Sequence, residues 1–72
     1  MSYKLLDDVV IIRKEDVEGG DNAFSILAAF KAEGRNQRIN RDDIDKVIKL
    51  AMAQKSYQDL IEVIKANSFY AV

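Results

Sequence analysis

Residues 40–52 read NRDDIDKVIKLAM, and this stretch decides the fold class because its apolar residues have the spacing of an amphipathic helix. They recur at i, i+3, i+4, i+7 and i+8, which places them on one helical face. Asn40 is positioned to cap the helix, and Asp42 and Asp43 suit the positive end of the helix dipole. We predict a helix that begins after Asn40, with Leu50 off the stripe and either half-exposed or in contact with another chain. The predicted buried stripe is Ile44, Val47, Ile48, Ala51 and Met52.

A further helix is predicted to begin at Tyr57, only about three residues after the preceding one ends, which predicts a tight helical hairpin. Residues 56–59 resemble a capping box in which Asp59 replaces the usual Glu or Gln. Asn67 is a candidate for the left-handed residue that follows the helix, because asparagine tolerates positive φ. The predicted stripe is Tyr57, Leu60, Ile61 and Ile64.

The pattern of residues 22–33, which precede these two helices in the chain, predicts a first helix. Asp21 is expected to cap the N–H groups of Ala23 or Phe24, where a carboxylate also suits the helix dipole. Gly34 is expected to end the helix as a left-handed residue. The apolar stripe of this helix is Ala23, Phe24, Ile26, Leu27 and Phe30.

The N-terminal residues 3–14 predict a β-strand because Val9 to Ile12 are all β-branched. Alternate residues of this strand point to opposite faces, so both faces are expected to be covered. The other strand-like run is residues 68–72. The backbone groups of the first strand must pair with this tail, with a second copy of the chain, or with a partner.

These elements predict an α+β, mainly α fold in a single domain over residues 1–72. An N-terminal strand precedes three helices, the last two form a hairpin, and a short C-terminal strand is possible. A domain of about 70 residues is marginally stable alone and needs a good helical core, a homo-oligomer or both. A homo-oligomer is expected because the first strand has two apolar faces and no certain partner in its own chain. The predicted core is Phe24, Leu27, Phe30, Ile44, Val47, Ile48, Met52, Leu60, Ile61 and Ile64.

The composition excludes several kinds of chemistry. With 11 basic and 12 acidic residues the formal net charge is −1, which argues against a duplex nucleic-acid partner. Cysteine and histidine are both absent from the sequence, so disulfides, thiol nucleophiles and soft metal sites are excluded. We expect no metal or other cofactor. The N-terminus has no signal-peptide pattern and the longest apolar run is residues 9–12, so a cytoplasmic protein without a membrane segment is expected.

A glycine pair before a helix start predicts an anion-binding site, because free N–H groups and the helix dipole attract phosphate or carboxylate. Basic side chains before this turn and in or beside the connection between the first two helices, with aromatic side chains for stacking, would complete the site. A flexible turn and a solubilising loop are the structural alternatives. The candidate ligand-binding residues are Gly19, Gly20, Asn22, Arg13, Arg35, Arg38 and Tyr57.

The acidic clusters are the other place to look for chemistry. Runs of carboxylates occur at residues 7–8, 15–18 and 42–45, and we interpret them as solvated or helix-capping groups. An enzyme working through carboxylates and lysines alone is the weakest hypothesis, because no pair of such groups is visibly forced together. We therefore expect no catalytic residues.

Residues 19–27, GGDNAFSIL, and residues 54–61, QKSYQDLI, resemble a group of small, mostly phage-encoded proteins. Those proteins carry a Gly-Asn-Ala-Phe helix start and a Gly-Asp-Tyr-x-x-Leu-Leu element on the last helix. Here Asp21 is inserted before Asn22, and Lys55-Ser56 replaces the Gly-Asp pair. The resemblance covers roughly residues 19–66. It implies a phage setting, in which small accessory proteins often bind or sequester a host component.

Two functional hypotheses follow. The first is a non-enzymatic phage accessory protein that sequesters a small anionic host molecule, such as a nucleotide signal, at a subunit interface of a homo-oligomer. The alternative is a protein-binding inhibitor of a host enzyme or defence factor. The second hypothesis would use the off-stripe Leu50 and Val63, or the free edge of the first strand.

Overall fold

The computed structural model describes residues 3–19 and 22–71, which form four helices and a two-stranded sheet. The α+β, mainly α architecture is as predicted, with an N-terminal strand and a short C-terminal strand. The elements in chain order are β1 (Val10–Arg13), α1 (Lys14–Val17), α2 (Ala23–Asn36), α3 (Arg41–Met52), α4 (Tyr57–Ala66) and β2 (Ser68–Ala71).

The N-terminal strand pairs with the C-terminal tail, which is one of the three possibilities that the sequence left open. The two strands run parallel, with Val10 opposite Ser68 and Ile12 opposite Tyr70. Val10 and Ile12 are buried, whereas Ile11, on the other face, is 51% exposed. The expectation that both faces of β1 are covered is therefore wrong for this chain alone, because the helices pack on one face only.

Asn67 joins the two ends of the chain. It is fully buried, and its backbone oxygen accepts a hydrogen bond from Val10 N at 3.0 Å. Its side-chain Oδ1 accepts from the N–H groups of Leu5 and Leu6 at 2.7 and 3.0 Å, while Nδ2 donates to the oxygens of Tyr3 and Val63 at 2.9 Å each. The predicted left-handed conformation is wrong, since φ of Asn67 is −108°. Its amide group, and not its φ preference, explains asparagine at this position.

The segment that leads into α2 differs from the prediction in two ways. Residues 14–17 form the one-turn helix α1, whereas no helix was predicted before residue 22. Asn22, and not Asp21, is the N-cap of α2, and its Oδ1 accepts from Ser25 N at 2.9 Å. Asp21 itself lies outside the described residues.

Helix α2 continues past Gly34, so the prediction that this glycine ends the helix is wrong. Gly34 is buried without a positive φ, and the left-handed residue is Arg38 in the following loop, with φ of 61°. A Cβ atom at position 34 would lie 2.6 Å from Cδ1 of Ile44. Glycine is thus required here for the close packing of α2 against α3.

The predicted hairpin of the last two helices is confirmed. Asn40 caps α3, accepting from Asp42 N at 2.8 Å, and Ser56 caps α4, accepting from Asp59 N at 3.1 Å. Residues 53–56 connect the two helices. Leu50 is half-buried against the core, in agreement with its position beside the stripe.

The core contains most of the predicted residues. The prediction that Phe24 and Met52 are buried is wrong, because their side chains are 78% and 61% exposed. At 100° per residue, each lies about 100° from the centre of the buried face of its helix. Tyr57 is also exposed, and Ile48 is partly buried. Buried residues that the prediction left out of the core are Leu6, Val10, Ile12, Val17, Ile26, Ala51 and Val63.

Two features of the fold bear on the protein-binding hypothesis. Val63 was expected on an exposed face, but it is fully buried because α4 packs against α1 and α2 as well as α3. The expectation of a free β1 edge is wrong too, because β2 covers one edge of β1 and the Gln37 side chain bonds to Ile11 on the other.

Candidate functional site

The predicted anion site begins at the turn before α2. Gly19 N donates to Glu15 O at 3.1 Å, closing the end of α1. The Asn22 side chain accepts from Ser25 N and so occupies one of the donors that a bound anion would need. Gly20 lies outside the described residues. In the described part of this turn, the hydrogen bonds of Gly19 and Asn22 therefore end α1 and cap α2.

The three predicted arginines do not share a cavity. Arg13, at the end of β1, pairs with Asp16 at 3.3 Å and lines a cavity of about 490 Å³. Arg38 lines a different cavity of about 700 Å³, and Arg35 is exposed in the last turn of α2 and lines neither. Tyr57, at the start of α4, also lines neither cavity.

The 700 Å³ cavity is an open groove between the segment that leads into β1 and the loop that connects α2 to α3. We call it the acidic groove. Its volume lies within the range of typical ligand sites. Its walls come from two parts of the chain separated by the whole of α2. The lining residues are Leu5, Leu6, Asp7, Asp8, Val9, Ile11, Gln37, Arg38, Ile39, Asn40 and Asp43.

Negative charge dominates this groove. Asp7, Asp8 and Asp43 contribute three carboxylates, and all three are exposed, whereas Arg38 contributes the single guanidinium of the lining. The smaller cavity has the same bias, with Asp16 and Glu33 against Arg13. A carboxylate-rich lining repels an anion and attracts a cation. The cavities that contain Arg13 and Arg38 are therefore better suited to a basic ligand than to an anionic one.

Apolar side chains lie beside these carboxylates. Leu5 is 47% exposed and Ile11 51%, and both line the acidic groove. Val9 and Ile39 are half-buried along it. An exposed apolar surface rimmed by charged groups is typical of a protein-binding surface. The groove therefore offers both ion pairing and apolar burial to a ligand.

Gln37 shapes the groove and was missed by the sequence analysis. Its Oε1 accepts from Ile11 N at 2.8 Å, and its Nε2 donates to Ile11 O at 2.6 Å. One side-chain amide thus replaces the two hydrogen bonds that a neighbouring strand would make. No local pattern marks Gln37 for this role, because its partner is 26 residues away in the sequence.

A second polar cluster surrounds the Tyr70 hydroxyl on the buried face of the sheet. This hydroxyl is buried and has no hydrogen-bond partner within the described residues. Burial, together with the negative charges of Glu18 and Glu62, raises the pKa of Tyr70 to about 12. Lys65 pairs with both carboxylates at 3.7 and 3.8 Å. The Lys65–Glu18 ion pair of this cluster joins α4 to the residue that follows α1, and the cluster lies outside both cavities.

Residues 3–19 and 22–71 contain no group of three or more acidic residues placed to hold a metal ion. In the same residues, no helix has both the length and the hydrophobicity that crossing a bilayer requires. Comparison of the chain with protein-family profiles, with curated proteins and with solved structures gives no match.

Proposed function

We propose that this protein is a non-enzymatic binding protein whose acidic groove docks a basic, partly apolar segment of a partner protein. The observation that carries the proposal is the combination of three exposed carboxylates with the exposed apolar side chains Leu5 and Ile11 in one open groove. In the phage setting that the resemblance implies, the partner is a host protein in the cytoplasm and the protein acts as an inhibitor.

The charge arrangement supports a basic segment. Lysine and arginine side chains pair with exposed carboxylates, and their aliphatic stems cover apolar surface at the same time. Each exposed ion pair contributes up to about 1 kcal/mol, and several pairs in one groove define which partner fits. The apolar lining then supplies the burial that exposed ion pairs alone do not provide.

Gln37 limits how a bound segment can use the groove. Its amide forms two hydrogen bonds with Ile11 at the outer edge of β1, so this edge is not free for strand pairing. The bound segment therefore contacts the side chains of the groove, with basic residues on the carboxylates and apolar residues on Leu5 and Ile11. The proposed ligand is a segment in which basic and apolar residues alternate.

Fluorescence anisotropy with a labelled alternating Lys-Leu octapeptide tests this proposal, with the corresponding Glu-Leu octapeptide as the charge-reversed control. The triple variant Asp7→Asn/Asp8→Asn/Asp43→Asn removes the groove carboxylates. The matched variant Asp42→Asn/Asp45→Asn/Asp59→Asn makes the same change in net charge outside the groove.

We expect the Lys-Leu peptide to bind, and the groove variant to weaken binding at least about tenfold, while the matched variant weakens it far less. Binding should also weaken as salt is added. Equal affinity of the two triple variants, or equal binding of the Glu-Leu peptide, would refute the proposal.

Sequestration of a small anion, the first hypothesis from the sequence, is the competing outcome. It predicts that a labelled nucleotide binds and that Arg35→Ala/Arg38→Ala abolishes this binding. Arg13, Arg35 and Arg38 do not share a cavity, and Arg13 and Arg38 lie beside carboxylates. We therefore expect that the anisotropy of the labelled nucleotide does not change when the wild type or this variant is added.

A further inference from the structure

We propose that two copies of this chain associate through the outer edge of β2, forming a four-stranded sheet around a two-fold axis. The residues of this self-association surface do not line the acidic groove, and the inference does not depend on the proposed function. It consists of the main-chain groups of Ser68 and Tyr70 with the exposed side chain of Phe69.

The register of the sheet decides which main-chain groups are free. Val10 N bonds to Asn67 O, so Asn67, Phe69 and Ala71 direct their main-chain groups toward β1. Ser68 and Tyr70 therefore direct theirs to the opposite edge. Within the described residues the sheet has two strands only, and no strand covers this edge.

The two outer edges of the sheet are not equivalent. Gln37 occupies the outer edge of β1 at its centre, bonding both the N–H and the oxygen of Ile11. No comparable side chain bonds to the outer edge of β2 in the part of the chain that the structure describes. Strand addition therefore occurs more readily at β2 than at β1.

The sequence of β2 leaves this edge protected only by the shortness of the strand. Native edge strands avoid pairing through short length, lysines, prolines, bulges or inward-pointing charges. Residues 68–71 read SFYA, without charge or proline. Two copies of an uncharged edge meet without like-charge repulsion, whereas a charged partner finds nothing to pair with on this strand. The electrostatics of the edge therefore favour a second copy.

Two-fold symmetry produces a self-complementary pairing. If Ser68 of each copy pairs with Tyr70 of the other in an antiparallel ladder, both residues exchange N–H and oxygen hydrogen bonds. The two Phe69 residues then face one another at the axis in a non-hydrogen-bonded pair, with Cα atoms about 4.5 Å apart. Phe69 is 62% exposed, and Ile11 lies opposite it on β1. The dimer would thus carry a continuous apolar row of Ile11, Phe69 and their symmetry mates.

The size of this surface sets the expected strength. A standard interface buries about 800 Å² from each partner, and a four-residue strand with one phenylalanine contributes less than that. The dimer is therefore expected to be weak, forming at protein concentrations of about 0.1 mM and above.

Sedimentation equilibrium on the full chain between about 1 µM and 1 mM tests the proposal, with the molecular mass at each concentration as the readout. We expect the wild type to shift from monomer to dimer across this range and Phe69→Lys to weaken the dimer at least about tenfold. Phe24→Lys is the matched control, because Phe24 is also exposed and lies on α2 instead of β2.

The absence of cysteine from the sequence permits a second measurement. A Cα separation of about 4.5 Å at the axis is compatible with a disulfide, so Phe69→Cys should form a covalent dimer under mild oxidation. The rate should exceed that of Phe24→Cys several-fold. A wild type that stays monomeric at 1 mM, equal dimerisation of the two lysine variants, or equal oxidation of the two cysteine variants would each refute the proposal.

Failure of this proposal is distinguishable from failure of the proposed function. Phe69 does not line the acidic groove but lies opposite Ile11, which does, so the uncharged variant Phe69→Ser is used here: it should bind the Lys-Leu peptide with wild-type affinity and still weaken the dimer. Conversely, Asp7→Asn/Asp8→Asn/Asp43→Asn should dimerise as the wild type does.

Discussion

The Asn67 side chain makes the most specific prediction about stability, because it ties the N-terminal segment to the end of α4. Two of its four hydrogen bonds join buried groups, to Leu6 N and Val63 O, and the other two join partly buried groups. A buried polar group left without a partner costs about 1–3 kcal/mol, and a group that water reaches costs less. Asn67→Ala should therefore lower the free energy of unfolding by about 3–5 kcal/mol.

Such a loss is a large part of the total. Folded domains are stabilised by about 0.05–0.15 kcal/mol per residue, so a chain of this length has only about 4–11 kcal/mol in all. The variant should lie close to unfolding at room temperature. Asn67→Asp should be no better, since its carboxylate keeps the two acceptor contacts but faces the oxygens of Tyr3 and Val63 without a donor.

Urea unfolding followed by far-ultraviolet circular dichroism measures this effect, with Asn40→Ala as the control. Asn40 is an exposed helix cap, and its replacement should cost about 1 kcal/mol. If Asn67→Ala loses no more than the control does, the buried bonds are not holding the two chain ends together and the reasoning fails. Faster hydrogen exchange at the Leu6 amide gives an independent readout in the variant.

Three further predictions follow from particular contacts. Gly34→Ala should destabilise by about 1 kcal/mol in urea unfolding despite better helix propensity, and Ile44→Val in the same chain should offset part of this loss by removing the clashing Cδ1 atom. Because burial and nearby carboxylates raise the pKa of Tyr70 from 10.0 to about 12, the folded state keeps this proton longer than the unfolded chain. The free energy of unfolding should therefore fall as the pH rises from 10.0 toward 12. This fall should be less steep in Tyr70→Phe than in the wild type, and as steep in Tyr3→Phe as in the wild type. Phe24→Ser should change the free energy of unfolding by less than about 0.5 kcal/mol, and a larger loss would mean that its ring is packed.

The sequence alone determined the parts of the fold that depend on residues close together in the chain. The helical hairpin follows from the apolar spacing of residues 44–51 and 60–64 and from the caps Asn40 and Ser56. Each cap acts on an N–H group two or three residues away. Local patterns contain all the information that such interactions need.

Tertiary structure decided which residues at the edges of each apolar stripe are buried. Phe24 and Met52 lie at the edges of apolar stripes, and the sequence pattern does not say how far the neighbouring elements extend over them. Val63 is buried because elements from both sides cover α4. The local pattern predicts that Gly34 ends the helix, but glycine is required there because Ile44 of another helix packs against it.

Tertiary structure also decided both candidate surfaces. The sequence emphasised the glycines near residue 20 together with Arg13, Arg35 and Arg38, whereas the acidic groove joins residues 5–11 to residues 37–43 and includes only Arg38 of these. The open edge of β2 depends on a parallel pairing between strands 58 residues apart, and Asn67 sets its register. Helix formation depends on contacts within a few residues, so sequence reveals it. Sheet pairing and groove formation depend on contacts between distant segments, and the folded chain alone brings these together.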